Sequence, residues 1–347
     1  MLRHPGVGCR SADNAARRRL VGAQQETGKV RSSESMDIGV VGLGLIGGSL
    51  LRRAHAAGFR VSGFDADAAT REAARQAGYE VADALAGLAD ARLLVLAVPL
   101  PALATVLPEL SGYGGLLTDV TSVKEPVTRL VARHCPSVRF VAGHPMAGKE
   151  TSGFAAADAD LFEGRVWVAC LDEDTDLDDW LRLAETACAL GARVVPATVA
   201  EHDTAAARIS HVPHVLAAAL SLLAADPLSR ALGAGSFADG TRVAQSSPEL
   251  AAAMCAGNAG PVAAELRRLV EELAEAGNRL GDHDAFRDWY AGARELRVDW
   301  PPEPGDVRRL PVTTEDLLSL GRAGGWVTEV DRGTRSVMVR QPQVSVA

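Results

Sequence analysis

Two segments of the sequence carry side chains that could move a proton. The loop GHPMAGKETSG, residues 143–153, places His144 among small residues that leave the backbone open. An imidazole has an ordinary pKa of about 6.5, so His144 could take a proton from a hydroxyl while hydride leaves the same carbon. Ser122, in the segment TDVTSVK, could orient that ring or the substrate hydroxyl. The alternatives are structural, with His144 capping a turn and Ser122 capping the helix that follows it.

A glycine-rich segment predicts a nucleotide site for this chemistry. GVVGLGLIGGSL has the GxGxxG spacing at Gly42, Gly44 and Gly47, between a β-branched strand and a helix. The first glycine permits a tight turn, the second lets the backbone approach a pyrophosphate, and the third allows close contact between helix and strand. The helix begins at Leu45 and Ile46, and its free amides favour phosphate. The pattern predicts a bound dinucleotide, and the alternative is a turn without a ligand.

Other strand ends are expected at the same edge of the sheet. Asp65 ends the strand RVSGFD, eighteen residues after Gly47. A carboxylate there accepts hydrogen bonds from a ribose 2′-hydroxyl and repels a 2′-phosphate, so NAD is favoured over NADP as the cofactor. Val98 and Pro99 end the strand LLVLAVP, and Ser122 follows the next strand. All of these residues are candidate cofactor contacts.

The elements that must position these residues alternate between strand and helix from Met36 onward. Continuous apolar strands separated by helices predict a parallel sheet covered on both faces. Right-handed connections then give a doubly wound α/β fold of the Rossmann type. RVWVAC and ARVVPAT are expected to extend the same sheet, so residues 36–197 are assigned to a dinucleotide-binding domain.

Three other regions have different patterns. Residues 198–298 are Ala- and Leu-rich helical stretches, which predict an all-helical domain that binds substrate and forms a homodimer. Residues 299–347 show a short βαββ-like pattern, interpreted either as packing at a sheet edge or as the remnant of a regulatory module. Residues 1–35 lack the apolar segment of a secretory signal. They predict a disordered tail or an upstream start, with Met36 as the true beginning.

Composition and charge exclude several classes of partner. The chain has a net charge of −8, and the first 35 residues hold its local basic excess, so no basic stripe is available for nucleic acid or an anionic membrane. The longest apolar stretch, from Leu93, contains three prolines and is shorter than the ~20 residues of a spanning helix. The five cysteines have no CxxC spacing, which indicates free thiols in a reducing cytoplasm.

Six motifs occur in an order that resembles one enzyme family. GLGLIGGS, TDVTSVK, GHPMAGKETSG, EHD, SHVPH and DGTRVAQSSP resemble the motifs of the prephenate dehydrogenase family, which includes arogenate dehydrogenases of tyrosine biosynthesis. The resemblance covers residues 37–298, about three-quarters of the chain. It implies NAD(P)-dependent oxidative decarboxylation of prephenate to 4-hydroxyphenylpyruvate, or of arogenate to tyrosine. It also implies that His144 is the catalytic histidine and Ser122 the serine that supports it.

The resemblance places substrate contacts in the helical domain and in the His144 loop. Arg242 matches the family's substrate arginine, since a guanidinium suits the carboxylates of prephenate; by itself it could equally be an ion-pair partner of Asp239. His214 matches a histidine that faces the substrate. Lys149 stands where many members have a small or hydroxyl residue, and Glu150 and Asp239 are candidates for binding the ammonium of arogenate. The choice between the two substrates stays open.

Two other functions fit parts of the sequence. A β-hydroxyacid dehydrogenase shares the two-domain layout but typically uses a lysine of its helical domain, and residues 198–298 contain none. A non-catalytic NAD sensor predicts a disrupted catalytic position, whereas His144, Ser122 and Arg242 are all present. Both functions are therefore disfavoured.

The histidines of the helical region also suggest a metal site. Pro213 interrupts the helix between His211 and His214, and no carboxylate has the spacing of a zinc protease. We expect no metal, and we expect a core or interface role for His202 and His211.

Overall fold

The first of two sheets is parallel throughout and carries the glycine fingerprint. In the computed structural model, which describes residues 37–149 and 151–343, its strands lie in the order β3-β2-β1-β4-β5-β6. The strand order reverses beside β1, and in doubly wound folds ligands bind in the crevice at the carboxyl ends of the strands at such a point. The strands are β1 (Asp37–Val41), β2 (Arg60–Phe64), β3 (Glu80–Val81), β4 (Leu93–Leu96), β5 (Leu116–Asp119) and β6 (Arg139–Val141).

Helices cover both faces of this sheet, so the predicted doubly wound fold is confirmed. Every residue of β4 is buried, as its continuous apolar run predicts. Val95 packs into one apolar cluster, whereas Leu94 and Leu96 pack into another on the opposite face. The helices are α1 (Leu45–Ala56), α2 (Ala68–Gln76), α3 (Leu100–Val106) and α4 (Glu125–His134).

The segments RVWVAC and ARVVPAT form β8 (Val166–Cys170) and β9 (Arg193–Ala197), and the prediction that they extend the first sheet is wrong. They lie in a second sheet with the order β10-β12-β11-β9-β8-β7, in which β7 and β11 pair antiparallel with them. Apolar runs identify strands but not their neighbours, because the bonds of a ladder join backbone groups that every residue carries. The elements are β7 (Gly143–Pro145), β8 (Val166–Cys170), α5 (Leu177–Ala189), β9 (Arg193–Ala197), β10 (Arg308–Pro311), β11 (Trp326–Asp331) and β12 (Ser336–Arg340).

The C-terminal tail completes this second sheet. β11 pairs with β9 at Val327 and Val194, and helix α13 (Thr314–Arg322) packs against β9. A Cβ atom on Gly321 would lie 1.8 Å from the carbonyl oxygen of Pro196, so this contact requires glycine. Apolar side chains of the tail join the main core. The tail is therefore packed as a sheet edge, and a regulatory role for it stays a prediction.

Helices occupy the chain from Val199 to Val298. A π-helical turn, Ala207–His211, separates the first two of them. Pro213 follows it and has no amide for the carbonyl four residues earlier, so a regular helical ladder cannot run through this point. The helices are α6 (Val199–Ala206), α7 (Val212–Leu223), α8 (Pro227–Leu232), α9 (Gly235–Thr241), α10 (Pro248–Gly257), α11 (Ala259–Arg279) and α12 (His283–Val298).

The helical region leaves large apolar side chains on its surface. Leu223 is 82% exposed and Leu296 is 80% exposed. The run Val199–Leu223, 25 residues long, is apolar enough to cross a membrane by length and composition alone. The same run holds His202 and Asp203, both buried inside the protein. Because ionisable groups are costly in lipid, these residues favour a protein interior around the first part of the run.

Two predictions fall outside the described residues. Residues 1–36, residue 150 and residues 344–347 are not described. The expected disordered tail at residues 1–35 and the substrate contact expected from Glu150 therefore stay predictions.

Candidate active site

The glycine fingerprint forms a cradle between β1 and α1. Gly42 has a φ of +91°, and a Cβ atom there would lie 2.6 Å from the carbonyl oxygen of Ala97. A Cβ atom on Gly47 would lie 1.8 Å from the carbonyl oxygen of Gly42, so helix and strand can approach only without a side chain. A Cβ atom on Gly44 would meet nothing within 4 Å. The protein itself does not require glycine at position 44, which fits a ligand that approaches the backbone at the second glycine of the fingerprint.

The start of helix α1 faces this cradle with free amides. No side chain caps the helix, and its first turn contains no acidic residue. The amides of Leu45 and Ile46 have no acceptor within the helix, and the helix dipole adds partial positive charge. Val98 lies against Gly42, and Pro99 is the N-cap residue of α3. These groups fit the phosphates of a dinucleotide.

Asp65 lies at the end of β2, where a ribose would be recognised. Its Oδ2 accepts the amide of Leu43 at 2.7 Å, and its Oδ1 accepts the amide of Asp67 at 2.8 Å. These bonds hold the carboxylate beside the fingerprint. Arg71 donates to the main-chain carbonyl of Asp65 at 2.7 Å. A carboxylate has about four acceptor positions, so Asp65 can also bind a ribose hydroxyl.

Three side chains from two segments form a hydrogen-bonded chain, which we call the relay. Nδ1 of His144 lies 2.9 Å from Nε2 of His202, and Nδ1 of His202 lies 2.8 Å from Oδ1 of Asp203. An ionised carboxylate only accepts hydrogen bonds, so His202 donates from Nδ1. As a neutral ring, His202 then accepts at Nε2 the proton that His144 carries on Nδ1. Nε2 of His144 is left with its lone pair, as a base requires.

Burial keeps the rings of the relay neutral. His202 is 3% exposed and Asp203 is 2% exposed, while His144 retains a partly accessible edge. Burial, and then the neighbouring His202, Lys124 and His211, hold the pKa of His144 well below its ordinary value. Burial also lowers the pKa of His202, although its hydrogen bond to Asp203 acts in the opposite direction. A neutral His144 can accept a proton at physiological pH.

Asp203 also caps the helix that follows β5. Its Oδ1 accepts the amide of Lys124 at 2.8 Å, and its Oδ2 accepts the amide of Glu125 at 2.9 Å. The cap that the structural alternative assigned to Ser122 is thus supplied by Asp203. Ser122 lies partly exposed in the turn between β5 and α4. Its roles toward cofactor and substrate stay predictions.

Two predicted substrate residues lie on adjoining elements of the helical region. Nδ1 of His214 donates to the carbonyl oxygen of Ser210 at 2.8 Å, which leaves Nε2 to another partner. Arg242 begins a 3₁₀ turn, Arg242–Gln245, that packs against α7, the helix carrying His214. Arg242 and Asp239 are both exposed in the single chain. Their positions are compatible with substrate binding, and the roles stay predictions.

Lys149 contacts the protein itself. Its Nζ lies 2.7 Å from Oδ2 of Asp158, with both side chains partly exposed. The amide of Asp158 donates to Oγ of Ser49 in helix α1 at 2.9 Å. Lys149 therefore connects the loop after His144 to the helix of the cradle, which gives it a structural role besides the predicted substrate contact.

His211 lies buried near the relay. Nδ2 of Asn258 donates to the carbonyl oxygen of Asp203 at 2.7 Å and lies 3.1 Å from Nδ1 of His211. His211 is fully buried, and burial lowers its pKa to about 4. The expected core position describes both His202 and His211, but His202 also contacts His144. Among residues 37–149 and 151–343, no group of three or more His, Cys, Asp or Glu side chains is arranged to hold a metal.

The sequence did not reveal the role of His202 and Asp203. The feature that could have indicated this role is the adjacent histidine and aspartate in EHD, at the start of an Ala-rich helix. The pairing with His144 bridges residues 58 positions apart, which no periodicity encodes.

Two sequence models of one family match most of the chain. The model described as prephenate dehydrogenase, nucleotide-binding domain, matches residues 48–196, and that described as prephenate dehydrogenase, dimerization domain, matches residues 198–289. The chain belongs to the prephenate dehydrogenase family. His144 lies in the first family domain and His202 in the second, so the relay joins the two domains of this prephenate dehydrogenase fold.

Individual family members are similar over much of the chain. Prephenate dehydrogenase of Bacillus subtilis is 35% identical over 227 residues, which cover 61% of this chain and 61% of that protein. Cyclohexadienyl dehydrogenase of Zymomonas mobilis is 30% identical over 288 residues, which cover 77% of this chain and 98% of that protein. The structure of Synechocystis arogenate dehydrogenase, at 28% identity, has a TM-score of 0.67 and covers 76% of this chain and 98% of that chain. The chain thus spans about three-fifths of the Bacillus relative.

Proposed function

We propose that this protein is an NAD-dependent dehydrogenase that converts prephenate to 4-hydroxyphenylpyruvate with loss of CO2. The observation that carries the proposal is the relay from Asp203 through His202 to His144, which leaves Nε2 of His144 as a base. Membership of the prephenate dehydrogenase family supports it. Arogenate, which would give tyrosine directly, is the alternative substrate.

His144 is the base of the proposed reaction. When bound, NAD supplies an acceptor for the hydride that leaves the ring carbon bearing the hydroxyl. Nε2 of His144 takes the hydroxyl proton while that carbon becomes a carbonyl. The bond between the ring and its carboxylate then breaks, CO2 leaves, and the released electron pair makes the ring aromatic. His144 returns its proton to the phenolate oxygen and is ready for another turnover.

The other two members of the relay prepare His144 for this role. His202 accepts the Nδ1 proton of His144 and thereby selects the tautomer with a free Nε2. When His144 becomes cationic, the Asp203 carboxylate stabilises the charge through the polarised ring of His202. Because the relay is buried, these hydrogen bonds are stronger than they would be in water.

The cofactor is proposed to bind the cradle of Gly42, Gly44 and Gly47, with its phosphates at the start of α1. The carboxylate of Asp65 favours NAD, because it accepts the ribose hydroxyl and repels a phosphate at the same place. Among the substrate contacts we propose the guanidinium of Arg242, whose fork suits a carboxylate.

We also propose that residues 198–298 form a homodimer in the cytoplasm. Leu223 and Leu296 are largely exposed on helices α7 and α12, and a second copy would bury this apolar surface. The family domain matched at residues 198–289 is described as a dimerization domain. The thiols of Cys135 and Cys170 are free, in keeping with a reducing compartment.

The function is tested by assaying the purified protein with prephenate or arogenate, each with NAD or NADP, and following the absorbance of the reduced cofactor. We expect NADH with prephenate. His144→Asn should lower kcat by about 10²–10⁴-fold, while the Kd for NAD stays near that of the wild type. Absence of reduced cofactor with both substrates would contradict the function. Unchanged turnover of the variant would remove His144 from its role.

A further inference from the structure

A fully buried ion pair lies next to His144. The side chain of Lys124 has no exposed surface, and its Nζ contacts Oδ2 of Asp119, which is equally buried. Nζ also donates to the carbonyl oxygen of Gly143 at 2.6 Å and lies 3.2 Å from Oγ1 of Thr121. The ammonium thus uses its three donors on three different residues.

The two members of this pair hold opposite ends of one residue. Oδ1 of Asp119 accepts the amide of Gly143 at 3.2 Å, and Nζ of Lys124 donates to its carbonyl. Gly143 is the first residue of β7, directly before His144. On the other side of β7 lies β8. There the amide of Cys170 donates to the carbonyl oxygen of Ala142, and the backbone groups of Gly143 are left to the ion pair. Through the ion pair, the backbone of Gly143 therefore connects β7 to the carboxyl end of β5 in the first sheet.

Gly143 also has no room for a side chain. A Cβ atom on Gly143 would lie 2.9 Å from the carbonyl oxygen of Asp119 and 3.0 Å from both Oγ1 of Thr118 and Nε1 of Trp167. At this point the chain passes from the first sheet to the second. β5 and β7 belong to different sheets, so no backbone pairing joins them. The His144 backbone is thus paired with Val168 of β8 on one side, and toward the first sheet it is held through the side-chain contacts to Gly143.

Stability alone explains this arrangement poorly. Taking two charges out of water costs several kcal/mol per ion by order of magnitude, and apolar replacements of buried pairs are often neutral or stabilising. This pair does more than neutralise itself, because each of its charges also binds the backbone of Gly143.

We propose that Asp119 and Lys124 are positioning residues that clamp Gly143 and so place the imidazole of His144 for proton transfer. The inference rests on the proposed dehydrogenase function for its effect on rate. Its effect on the His144 ring does not depend on that function.

The clamp also acts on the ring electrostatically. The ammonium of Lys124 contributes to the low pKa of His144, after burial and the neighbouring ring of His202. Within residues 37–149 and 151–343, the titratable and charged groups around His144 are His202 and Asp203 on α6, His211 in the π-helical turn, Asp119 at the end of β5 and Lys124 before α4. Loss of the ammonium should therefore raise the pKa of His144.

The test is the double variant Asp119→Asn/Lys124→Met, which removes both charges together and leaves no unpaired ion. We expect a folded protein whose Kd for NAD stays within about twofold and whose kcat falls by about 100-fold, the size of a 1 Å misplacement. Nitrogen NMR titration should show a raised His144 pKa, because Lys124 is among the groups that lower it whereas the Asp119 carboxylate acts on the pKa of His202. Asp119→Asn/Lys124→Gln restores a donor near the Gly143 carbonyl and should recover part of kcat.

The matched control is Arg139→Met/Asp179→Asn, which removes another ion pair, at 2.8 Å, between β6 and α5, and neither residue belongs to the relay or contacts Gly143. It should lower the melting temperature without changing kcat or the His144 pKa.

Wild-type kcat together with a wild-type His144 pKa in the Asp119→Asn/Lys124→Met protein would overturn the proposal. If the wild type itself turns over neither prephenate nor arogenate, the dehydrogenase function fails, and the NMR titration still decides the clamp. If the Met variant does not fold, the Gln variant decides, since an unchanged His144 pKa and kcat there would equally reject the clamp.

Discussion

Nδ1 of His144 and Nε2 of His202 lie 2.9 Å apart, although they belong to different domains of the family and are 58 residues apart in the chain. The proposed base is thus completed by a side chain of the helical domain. Any change in how the two domains pack will alter both the tautomer and the orientation of the base.

We expect His202→Gln to impair the base without removing it. The Gln side chain can still accept the Nδ1 proton of His144, so kcat should fall by about tenfold, less than the ~10²–10⁴-fold expected for loss of the base itself. The wild-type acid limb of kcat should lie below pH 6.5, because the low pKa of His144 keeps it neutral there. His202→Gln removes one cause of that lowering, so the acid limb should move to higher pH. A pH-rate profile measures both the fall in kcat and the shift of the acid limb. An acid limb at the wild-type pH would show that His202 does not influence the protonation of His144.

Gly44→Ala and Gly47→Ala should differ in their effects on stability. A methyl on Gly44 meets no protein atom within 4 Å, so this variant should keep its melting temperature yet lose NAD affinity by about tenfold or more. A methyl on Gly47 meets the carbonyl of Gly42, so that variant should lose about 1–3 kcal/mol of stability as well. Thermal melting and calorimetric titration with NAD measure the two effects. Full NAD affinity in Gly44→Ala would place the pyrophosphate elsewhere.

Asp65→Asn should relax the preference for NAD. The amide oxygen can still accept the backbone of Leu43, so the fold is kept, but the charge that repels a 2′-phosphate is gone. Because such a repulsion is worth on the order of 1–4 kcal/mol, the ratio of kcat/KM for NAD over NADP should fall by about tenfold or more. The control is Asp67→Asn, which changes the N-cap of α2 and should leave the ratio unchanged.

Stability should decrease in mild acid because of His211. Its pKa is about 4 in the folded protein against about 6.5 when unfolded, so the unfolded state binds the proton first as pH falls below 6.5. Between pH 7.5 and 5.5 this one group should cost about 1.4 kcal/mol of unfolding free energy. Urea titrations at both pH values should show the loss reduced by that amount in His211→Gln. An exposed control, His283→Gln, should show the wild-type loss; equal losses in all three proteins would contradict the assignment.

The dimer proposal predicts an effect of charge on the exposed helical surface. Leu223→Asp places a carboxylate on the apolar face of α7, so the dimer should weaken and the protein should elute as a monomer at micromolar concentration. Light scattering after gel filtration measures the mass. The control is Val307→Asp, an exposed apolar residue outside the helical region, which should leave the mass unchanged. A wild type that is monomeric at all concentrations would reject the dimer.

Local sequence patterns were sufficient to predict the doubly wound sheet, the cradle and His144. The glycine spacing, the acidic end of β2 and the continuous apolar strands each depend on neighbours in sequence, so the cradle and the doubly wound sheet followed from them. His144 could be recognised for the same reason, since its chemistry and its open loop are local properties.

The family and the nucleotide fold could be inferred from sequence alone, and His144 could be proposed as the base. The partners of that proposed base became visible only in the folded protein. The contact of His144 with His202, the cap that Asp203 places on α4, and the clamp of Asp119 and Lys124 on Gly143 all join segments that are distant in the chain. The second sheet likewise could not be predicted from sequence, because β9 pairs with a strand of the tail more than a hundred residues later. Hydrogen bonds between distant backbones and buried side chains depend on which surfaces the fold brings together, and that information is not carried by any single stretch of residues.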